Sequence, residues 1–379
     1  MASVHRIPRE GRPWRARYWV NGRERSRTFV HKATAERWLR GQLAAVDRGE
    51  WVDPKAARVT LFDGVAAGWL AALDGSGLKP KTVAGYREVY GSRIAPTFEG
   101  SPVAMITRDT VEDWLAEMAA AGVSAARMRA ARGVLCRILD TAVASRIVTT
   151  NPVAGVRVRA TTASREPVFL TADQLHHLAA EAEIRSPGSG LVVEVLGWVG
   201  LRFGELVALR AGRVDPVRGR LVVAESATEV DGRGLVFGSP KNHRSREVTV
   251  PGPVMAALAA RVEEMPADAL VFTAAQGRAL RANNWRRRVF APAVASAGLD
   301  ATLRPHDLRH TAASLAIAAG APIKAIQRQL GHASATMTLD RYGHLYPDDL
   351  DALGQALTAR YTTTVPAHSG HRRPEGLET

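Results

Sequence analysis

The chain has 379 residues, of which 46% are hydrophobic, and it carries a formal net charge of +14 with an isoelectric point near 10.7. That length exceeds the usual size of a domain with a single hydrophobic core, so we expect two or three domains. The charge favours a polyanionic partner such as nucleic acid, although a basic chain can also be merely well solvated. Cys136 is the only cysteine, which excludes an intramolecular disulfide and a cysteine-based zinc cluster.

The cellular location is read from apolar stretches. The N-terminal sequence MASVHRIPRE has no apolar core of the kind found in signal peptides. The most apolar stretch, GLVVEVLGWVGL, is short and contains Glu194, so it does not suit a membrane span. We therefore expect no membrane partner and a cytoplasmic protein, and the net positive charge favours an association with the nucleoid.

A small β-sheet packed on one helix is predicted for residues 1–55. The stretches WRARYWV and RERSRTF flank Asn21-Gly22, a dipeptide typical of the type I′ turn of a tight hairpin. In that register Tyr18 lies opposite Arg25. A helix follows, and Gly49 is expected to end it. Its apolar stripe comprises Ala35, Trp38, Leu39, Leu43 and Val46.

This first unit is strongly basic, with twelve Lys and Arg against six Asp and Glu in residues 1–53. A two-stranded ribbon fits the major groove of DNA, so the hairpin is a candidate DNA reader. The alternative is a solvated edge hairpin. The candidate DNA-binding side chains are Arg15, Arg17, Arg23, Arg25 and Arg27.

A second, helical unit is predicted for residues 60–155, after a linker WVDPKAARVT. Apolar residues recur three and four apart in LFDGVAAGWLAAL, RDTVEDWLAEMAAAG and MRAARGVLCRILDTAVASRIV. Lys79, Lys81 and Arg87 interleave with Tyr86 and Tyr90, a mixture that suits a grip on the DNA backbone. Solvated faces around core aromatics would give the same pattern.

The longest unit is predicted for residues 165–361, after a linker VRVRATTASREP. Thr171 and Gln174 form a capping box that begins a helix. Between Leu221 and Val250 the runs LVVAE, LVF and REVTV predict a small antiparallel sheet. Lys241 lies just before a turn between two of these strands, which places it at a hairpin tip. Residues 362–379 are expected to be a disordered tail.

The stretch RPHDLRHT allows two kinds of site. His306 and His310 are four residues apart and could hold zinc from one helix face, whereas His306 with Arg309 suits an anion. A zinc protease would need Glu at position 307, but Asp307 is one carbon shorter, and no cysteine ligand is available. The anion site is therefore favoured, with no metal.

Four segments together carry a family resemblance. They are GLRFGEL, the turn with Lys241, HDLRHTAAS and LGHASATMTLDRYGH. In order and spacing they resemble the catalytic domain of the tyrosine recombinases, the phage-integrase family. The resemblance implies a multidomain, mainly α fold: an arm-type DNA-binding domain at 1–55, a SAM-like core-binding domain at 60–155, and at 165–361 a mostly α catalytic domain with a small antiparallel sheet.

The resemblance implies Tyr342 as the nucleophile, with Arg202 and Arg309 as clamps on the scissile phosphate. Two guanidinium groups, always charged and forked, can neutralise charge on the phosphate oxygens without a metal. Tyr346 is the rival nucleophile four residues later, but the match of DRYGH favours Tyr342.

The resemblance also implies three proton or phosphate contacts. Lys241 would protonate the leaving 5′ oxygen, His306 would accept the proton of the nucleophile, and His332 would contact the phosphate. A phosphotyrosyl ester keeps the phosphate activated, so neither ATP nor another cofactor is required. His310 is expected to orient or pack on a helix face, and His344 is given no role.

The implied partner is double-stranded DNA bearing attachment sites, bound by a homotetramer on two sites, with DNA-bending accessory proteins or a directionality factor. The alternatives are a type IB topoisomerase and a DNA-binding regulator that does not cut. After the nucleophile, Leu350, Leu353 and Leu357 form one stripe. That short helix is expected to pack on a neighbouring protomer or on its own domain.

Overall fold

The computed structural model describes residues 2–53, 55–159, 165–230, 232–240, 245–274, 276–345, 354–355 and 357–361. They form two compact units, one up to Arg165 and the other from Glu166 onward. Helices dominate, and the strands lie in small antiparallel sheets, which confirms the mainly α fold class. Across these ranges, no helix has both the length and the apolar surface that a lipid bilayer demands.

The first unit begins with a three-stranded antiparallel sheet in the order β1–β2–β3. Its strands are β1 (Ser3–Arg6), β2 (Trp14–Val20) and β3 (Arg23–Phe29). Asn21 and Gly22 have φ angles of 52° and 72°, the pair of left-handed conformations that a type I′ turn requires. The predicted register, with Tyr18 opposite Arg25, is confirmed. Strand β1 was not predicted, because four residues with one apolar side chain carry too little pattern.

Helix α1 (Lys32–Asp47) covers one face of this sheet. Ala35 and Leu39 are buried in a cluster with Ala16 and Tyr18, so the predicted apolar stripe is the packing face. Gly49 adopts φ of 68° just beyond the helix, as a helix-ending glycine should.

The predicted linker at 51–60 is wrong at its start. Trp51 donates from Nε1 to the Tyr18 hydroxyl at 2.7 Å, and Asp53 forms an ion pair with Arg25. These residues belong to the N-terminal sheet because their side chains find partners on it. Helix α2 (Ala56–Val59) follows.

Helices make up the rest of the first unit. They are α3 (Phe62–Ala72), α4 (Pro80–Val89), α5 (Ala95–Phe98), α6 (Arg108–Ala120) and α7 (Ala125–Ala144), with a π-helical turn at Tyr90–Ile94 and a 3-10 turn at Val103–Met105. Phe62, Trp114 and Leu135 lie in their shared core. Val156 is buried in the same core, so the second linker starts later than predicted. Linker residues 160–164 lie outside the described residues.

The second unit contains nine named α-helices in its described part. They are α8 (Ala172–Arg185), α9 (Ser189–Glu194), α10 (Phe203–Val207), α11 (Gly252–Val262), α12 (Ala282–Trp285), α13 (Ala291–Ser296), α14 (Asp307–Ala318), α15 (Ile323–Leu330) and α16 (Ala335–Tyr342). Shorter turns lie at Val195–Val199, Ala211–Arg213, Arg286–Phe290 and Gly343–Leu345. The Thr171 and Gln174 capping box is confirmed. Leu175, Leu196 and Phe290 centre the core.

The strands of this unit form two sheets where one was predicted. They are β4 (Val214–Asp215), β5 (Arg220–Val223), β6 (Ser226–Val230), β7 (Gly234–Gly238) and β8 (Arg246–Thr249). One sheet has the order β4–β5–β8 and the other is the hairpin β6–β7. The hairpin predicted around Lys241 is therefore wrong, because β7 and β8, the strands on either side of it, lie in different sheets. Strand β7 pairs with β6, which is closer along the chain and costs less entropy to reach.

Several predicted features lie outside the described residues. They are Lys241, Tyr346, Leu350, Leu353 and the tail at 362–379. Leu357 lies in a described helical stretch and is 62% exposed. The surface on which the last helix packs stays a prediction.

Candidate active site

The Arg202 segment begins with a glycine turn. Gly200 has φ of 75°, and a Cβ there would lie 2.8 Å from Leu330 Cδ2, so both the backbone and the packing require glycine. This turn places Arg202 at the start of α10, where its NH1 donates to Glu205 Oε1 at 2.8 Å. The carboxylate of Glu205, three residues along the chain, thereby holds the Arg202 guanidinium in place.

Glu205 joins two arginines from distant parts of the chain. Arg246 donates to both carboxylate oxygens, at 2.9 and 2.7 Å, while Arg202 binds through its side chain and its backbone N–H. The carboxylate is 2% exposed. Burial alone would raise the pKa of Glu205, but the hydrogen bonds and charge of Arg246, aided by Arg202, lower it to about 2. The ionised carboxylate is therefore a fixed anchor for both cations.

Arg309 occupies the centre of the site. It is 3% exposed and donates to the carbonyl oxygens of Gly200 and Leu330. Burial first, and then the charge of Arg202, lowers the pKa of Arg309 to about 9, which leaves it cationic at neutral pH. One side chain thus fixes α14, the glycine turn and the end of α15 relative to one another.

His306 and His310 share one end of α14. Their rings meet edge to face with centroids 5.1 Å apart. Partial desolvation, Arg309 and Arg341 lower the pKa of His306, whose side chain is exposed. His310 is 5% exposed, and its Nδ1 lies 2.8 Å from the Tyr342 hydroxyl. Burial first, then His306 and Arg341, lowers the pKa of His310 to about 4.

Tyr342 and His332 complete the cluster. Tyr342 is 1% exposed, and its ring is stacked on that of His332, with centroids 6.4 Å apart and planes 7° from parallel. Burial raises the pKa of Tyr342, while Arg309 and Arg341 oppose the rise. His332 also bonds the Thr338 hydroxyl at 2.9 Å through Nδ1, and burial and Arg309 lower its pKa to about 4.

The structure thus brings together five of the six side chains that the sequence singled out. They are Arg202, His306, Arg309, His332 and Tyr342. The sixth, Lys241, lies outside the described residues. Sequence reasoning missed Arg246, and it gave His310 a role in orienting or packing on a helix face rather than a contact with the tyrosine oxygen. The sequence did offer a signal for Arg246, because it begins the predicted strand REVTV five residues after the candidate Lys241.

A basic cleft of 1240 Å³ opens beside this cluster. Arg202 and His332 line it together with Arg246, and the exposed side chains of Lys324 and Arg328 follow along α15. The described residues of its lining have five Lys or Arg side chains against one carboxylate, Glu247, and a cleft with such a net positive charge concentrates anions. Its lining suits a phosphate backbone better than a neutral ligand.

The five hairpin arginines do not form one surface. Pairing places Arg23, Arg25 and Arg27 on the sheet face that carries α1, and Arg25 is engaged by Asp53. Arg15 and Arg17 lie on the opposite face. That face also carries Trp19, which is 42% exposed and lies beside the Arg17 guanidinium.

The three candidate DNA-binding residues of the helical part, Lys79, Lys81 and Arg87, lie in different surroundings. Lys79 precedes α4, and Lys81 is exposed in its first turn. Arg87 instead donates to both oxygens of Asp74 at 2.9 Å. Tyr86 and Tyr90 pack against the helical core.

Comparison with known proteins agrees with this arrangement. Residues 168–348 match the model of the phage integrase family. The integrase of Mycobacterium phage D29 is 31% identical over 335 residues, covering 83% of this chain and 84% of that protein. This chain belongs to the phage integrase family. As a member it is a tyrosine-type, site-specific DNA recombinase, and the candidate cluster around Tyr342 lies within the matched residues.

Solved structures of integrases share the fold. The Tn1549 transposon integrase in complex with a circular intermediate DNA matches with a TM-score of 0.67 at 19% identity, over 79% of this chain and 99% of that one. A lambda integrase tetramer bound to a Holliday junction matches with a TM-score of 0.58 at 21% identity, over 88% of this chain and 96% of that one. Both matches span most of this integrase.

Proposed function

We propose that this integrase inserts or excises the DNA of a phage or other mobile element by cutting each strand through a 3′-phosphotyrosyl link to Tyr342. One observation carries the proposal: the phenol oxygen lies in a cluster with a buried arginine and three histidines, beside a basic cleft. The Coulomb influence of Arg309 reaches the phenol itself.

The two active-site arginines are proposed to bind the non-bridging oxygens of the scissile phosphate. Arg202 is 27% exposed and lines the cleft, so it can meet an incoming phosphate. The Arg309 guanidinium is more deeply buried than that of Arg202. Its hydrogen bonds go to two backbone carbonyl oxygens rather than to a carboxylate, so its positive charge is not neutralised by them. Negative charge that develops on the phosphate oxygens in the transition state is then stabilised by cations already in place, which lowers the activation barrier.

The histidines and the lysine are proposed to handle the remaining contacts. His332 lines the cleft and contacts the phosphate. His306, exposed at the start of α14, hydrogen-bonds a phosphate oxygen. Lys241 protonates the leaving 5′ oxygen. Because the phosphotyrosyl ester conserves the energy of the broken bond, a 5′ hydroxyl reseals the strand without ATP.

The N-terminal and helical parts are proposed as additional DNA-binding domains, at 1–55 for arm sites and 60–155 for core sites, with the catalytic domain at 165–361. On the sheet, the face with Arg15, Arg17 and Trp19 is free of α1 and is the better reader. Lys81, exposed in the first turn of α4, suits a phosphate better than Arg87, which Asp74 engages. Lys79 stays a candidate contact just before that helix.

The active assembly is proposed to be a homotetramer on two DNA sites, with DNA-bending proteins or a directionality factor as accessories. The lambda integrase structures on DNA include a dimer and a tetramer. A tetramer supplies one nucleophile for each of the four strands exchanged. A type IB topoisomerase would use the same chemistry without needing two sites.

A nicked duplex tests the proposal. It carries the core of the attachment site, read from the genomic junctions beside the gene, with a nick just past the scissile phosphate so that the released fragment diffuses away. We expect a covalent protein–DNA adduct with the natural chain and none with Tyr342→Phe. Exchanged products from two sites then separate the recombinase from a topoisomerase. Tight binding without any adduct would identify a regulator that does not cut.

A further inference from the structure

His310 is the histidine that touches the tyrosine oxygen. Its Nδ1 lies 2.8 Å from the Tyr342 hydroxyl, and both side chains are almost completely buried. His306, which the family resemblance would make the proton acceptor, instead meets the His310 ring edge to face at 5.1 Å. The geometry therefore separates the exposed histidine from the one in contact with the reacting atom.

We propose that His310 is a catalytic residue, the base that takes the Tyr342 proton during strand cleavage and returns it during rejoining. This inference rests on the proposed function and assigns a residue within it. In the neutral tautomer with hydrogen on Nε2, Nδ1 accepts a hydrogen bond from the hydroxyl. A base must lie within such a distance of the proton that it removes.

The proton and bond changes balance. As the bond between the Tyr342 oxygen and phosphorus forms, the bond from phosphorus to the 5′ oxygen breaks. The hydroxyl proton passes to His310, and the 5′ oxygen takes a proton from the Lys241 ammonium. On rejoining, the 5′ hydroxyl attacks and its proton returns to the lysine amine. The His310 imidazolium then gives the first proton back to the tyrosine oxygen.

The surroundings keep His310 unprotonated, so that it can accept a proton. Burial first, and then His306 and the cations Arg341 and Arg309, lower its pKa to about 4, and Asp307 opposes them, so its lone pair is available at neutral pH. A bound phosphate brings negative charge to the same cations. Their repulsion of an imidazolium then weakens, and the pKa of His310 rises at the stage when the proton moves.

Single-turnover cleavage of the nicked duplex, measured from pH 6 to 9.5, tests the assignment. In H310N the amide oxygen stands near the position of Nδ1, so it can still accept the hydroxyl hydrogen bond but cannot take the proton. H306N removes the competing histidine. H344N removes an exposed histidine beside the nucleophile and is the matched control. H310Q serves if H310N does not fold.

We expect H310N to cleave about 100-fold more slowly than the natural chain at pH 7, within the range that proton transfer contributes. Its rate should rise about tenfold for each pH unit, because solvent hydroxide must then ionise the phenol. H306N should be slower at every pH with a profile parallel to that of the natural chain. H344N should match the natural chain.

A second substrate distinguishes a missing base from a missing acid. A 5′-bridging phosphorothiolate has a thiolate leaving group that needs no proton. It should restore cleavage by K241A and leave the H310N defect unchanged. Near-natural rates for H310N at pH 7, a parallel pH profile, or its rescue by the phosphorothiolate would each overturn the assignment. An absence of adduct with the natural chain would instead overturn the proposed function.

Discussion

Glu205 gives the most quantitative prediction, because its carboxylate is buried between Arg202 and Arg246. In the folded protein its pKa of about 2 lies below the usual glutamate value of 4.5. Each pKa unit corresponds to 1.36 kcal/mol, so ionisation contributes about 3 kcal/mol to stability. Since the pKa is depressed, this contribution is complete above pH 4.5 and disappears as the pH falls toward 2.

The assay is urea unfolding of the natural chain and of Glu205→Gln at several pH values. At pH 7 we expect the variant to be less stable by about 3 kcal/mol, since removing one partner of a buried pair leaves cations uncompensated. The difference should shrink steadily below pH 5. Glu247→Gln is the matched control, because its ion pair with Arg218 is exposed and worth less than about 1 kcal/mol. A Glu205→Gln effect as small as the control's, or one independent of pH, would refute this electrostatic account.

Three further predictions concern function. Arg309→Ala should reduce single-turnover cleavage by about 100- to 1000-fold, the scale of one lost oxyanion contact, while filter binding of core DNA is largely kept; normal cleavage would refute the clamp. A chain beginning at residue 56 should cleave core DNA but integrate poorly, and undiminished integration would make the N-terminal sheet dispensable. Arg15→Gln with Arg17→Gln should weaken arm-site binding and reduce its salt dependence by about two counterions. Equal losses with Arg23→Gln and Arg27→Gln would show that the wrong sheet face was chosen.

Local patterns predicted much of this protein. Asn21-Gly22 defined a turn whose φ values and strand register follow directly, and Thr171 with Gln174 defined a helix start. Turns and helix caps depend on interactions within a few residues, so they can be predicted from the sequence alone. Short segments without alternation, such as β1 and β6, carried no comparable signal.

The contacts that build the site are of another kind. Glu205 and Arg246 are 41 residues apart, and His310 and Tyr342 are 32 apart. Neither pairing leaves a local pattern, because each depends on how α10, β8, α14 and α16 pack. The motif residues, and Glu205 as the partner of Arg202 three residues away, could therefore be recognised, but the second arginine on that carboxylate and the histidine on the phenol could not. The face assignment of the hairpin arginines likewise required the packing of α1.

The central claim is that the Tyr342 oxygen becomes bonded to DNA. Trapped adduct from the nicked duplex can be digested with protease and nuclease, and the peptide carrying a residual nucleotide sequenced by mass spectrometry. The account predicts a single modified peptide with the nucleotide on Tyr342. Attachment at Tyr346 or at any other residue, or an adduct that persists in Tyr342→Phe, would contradict it.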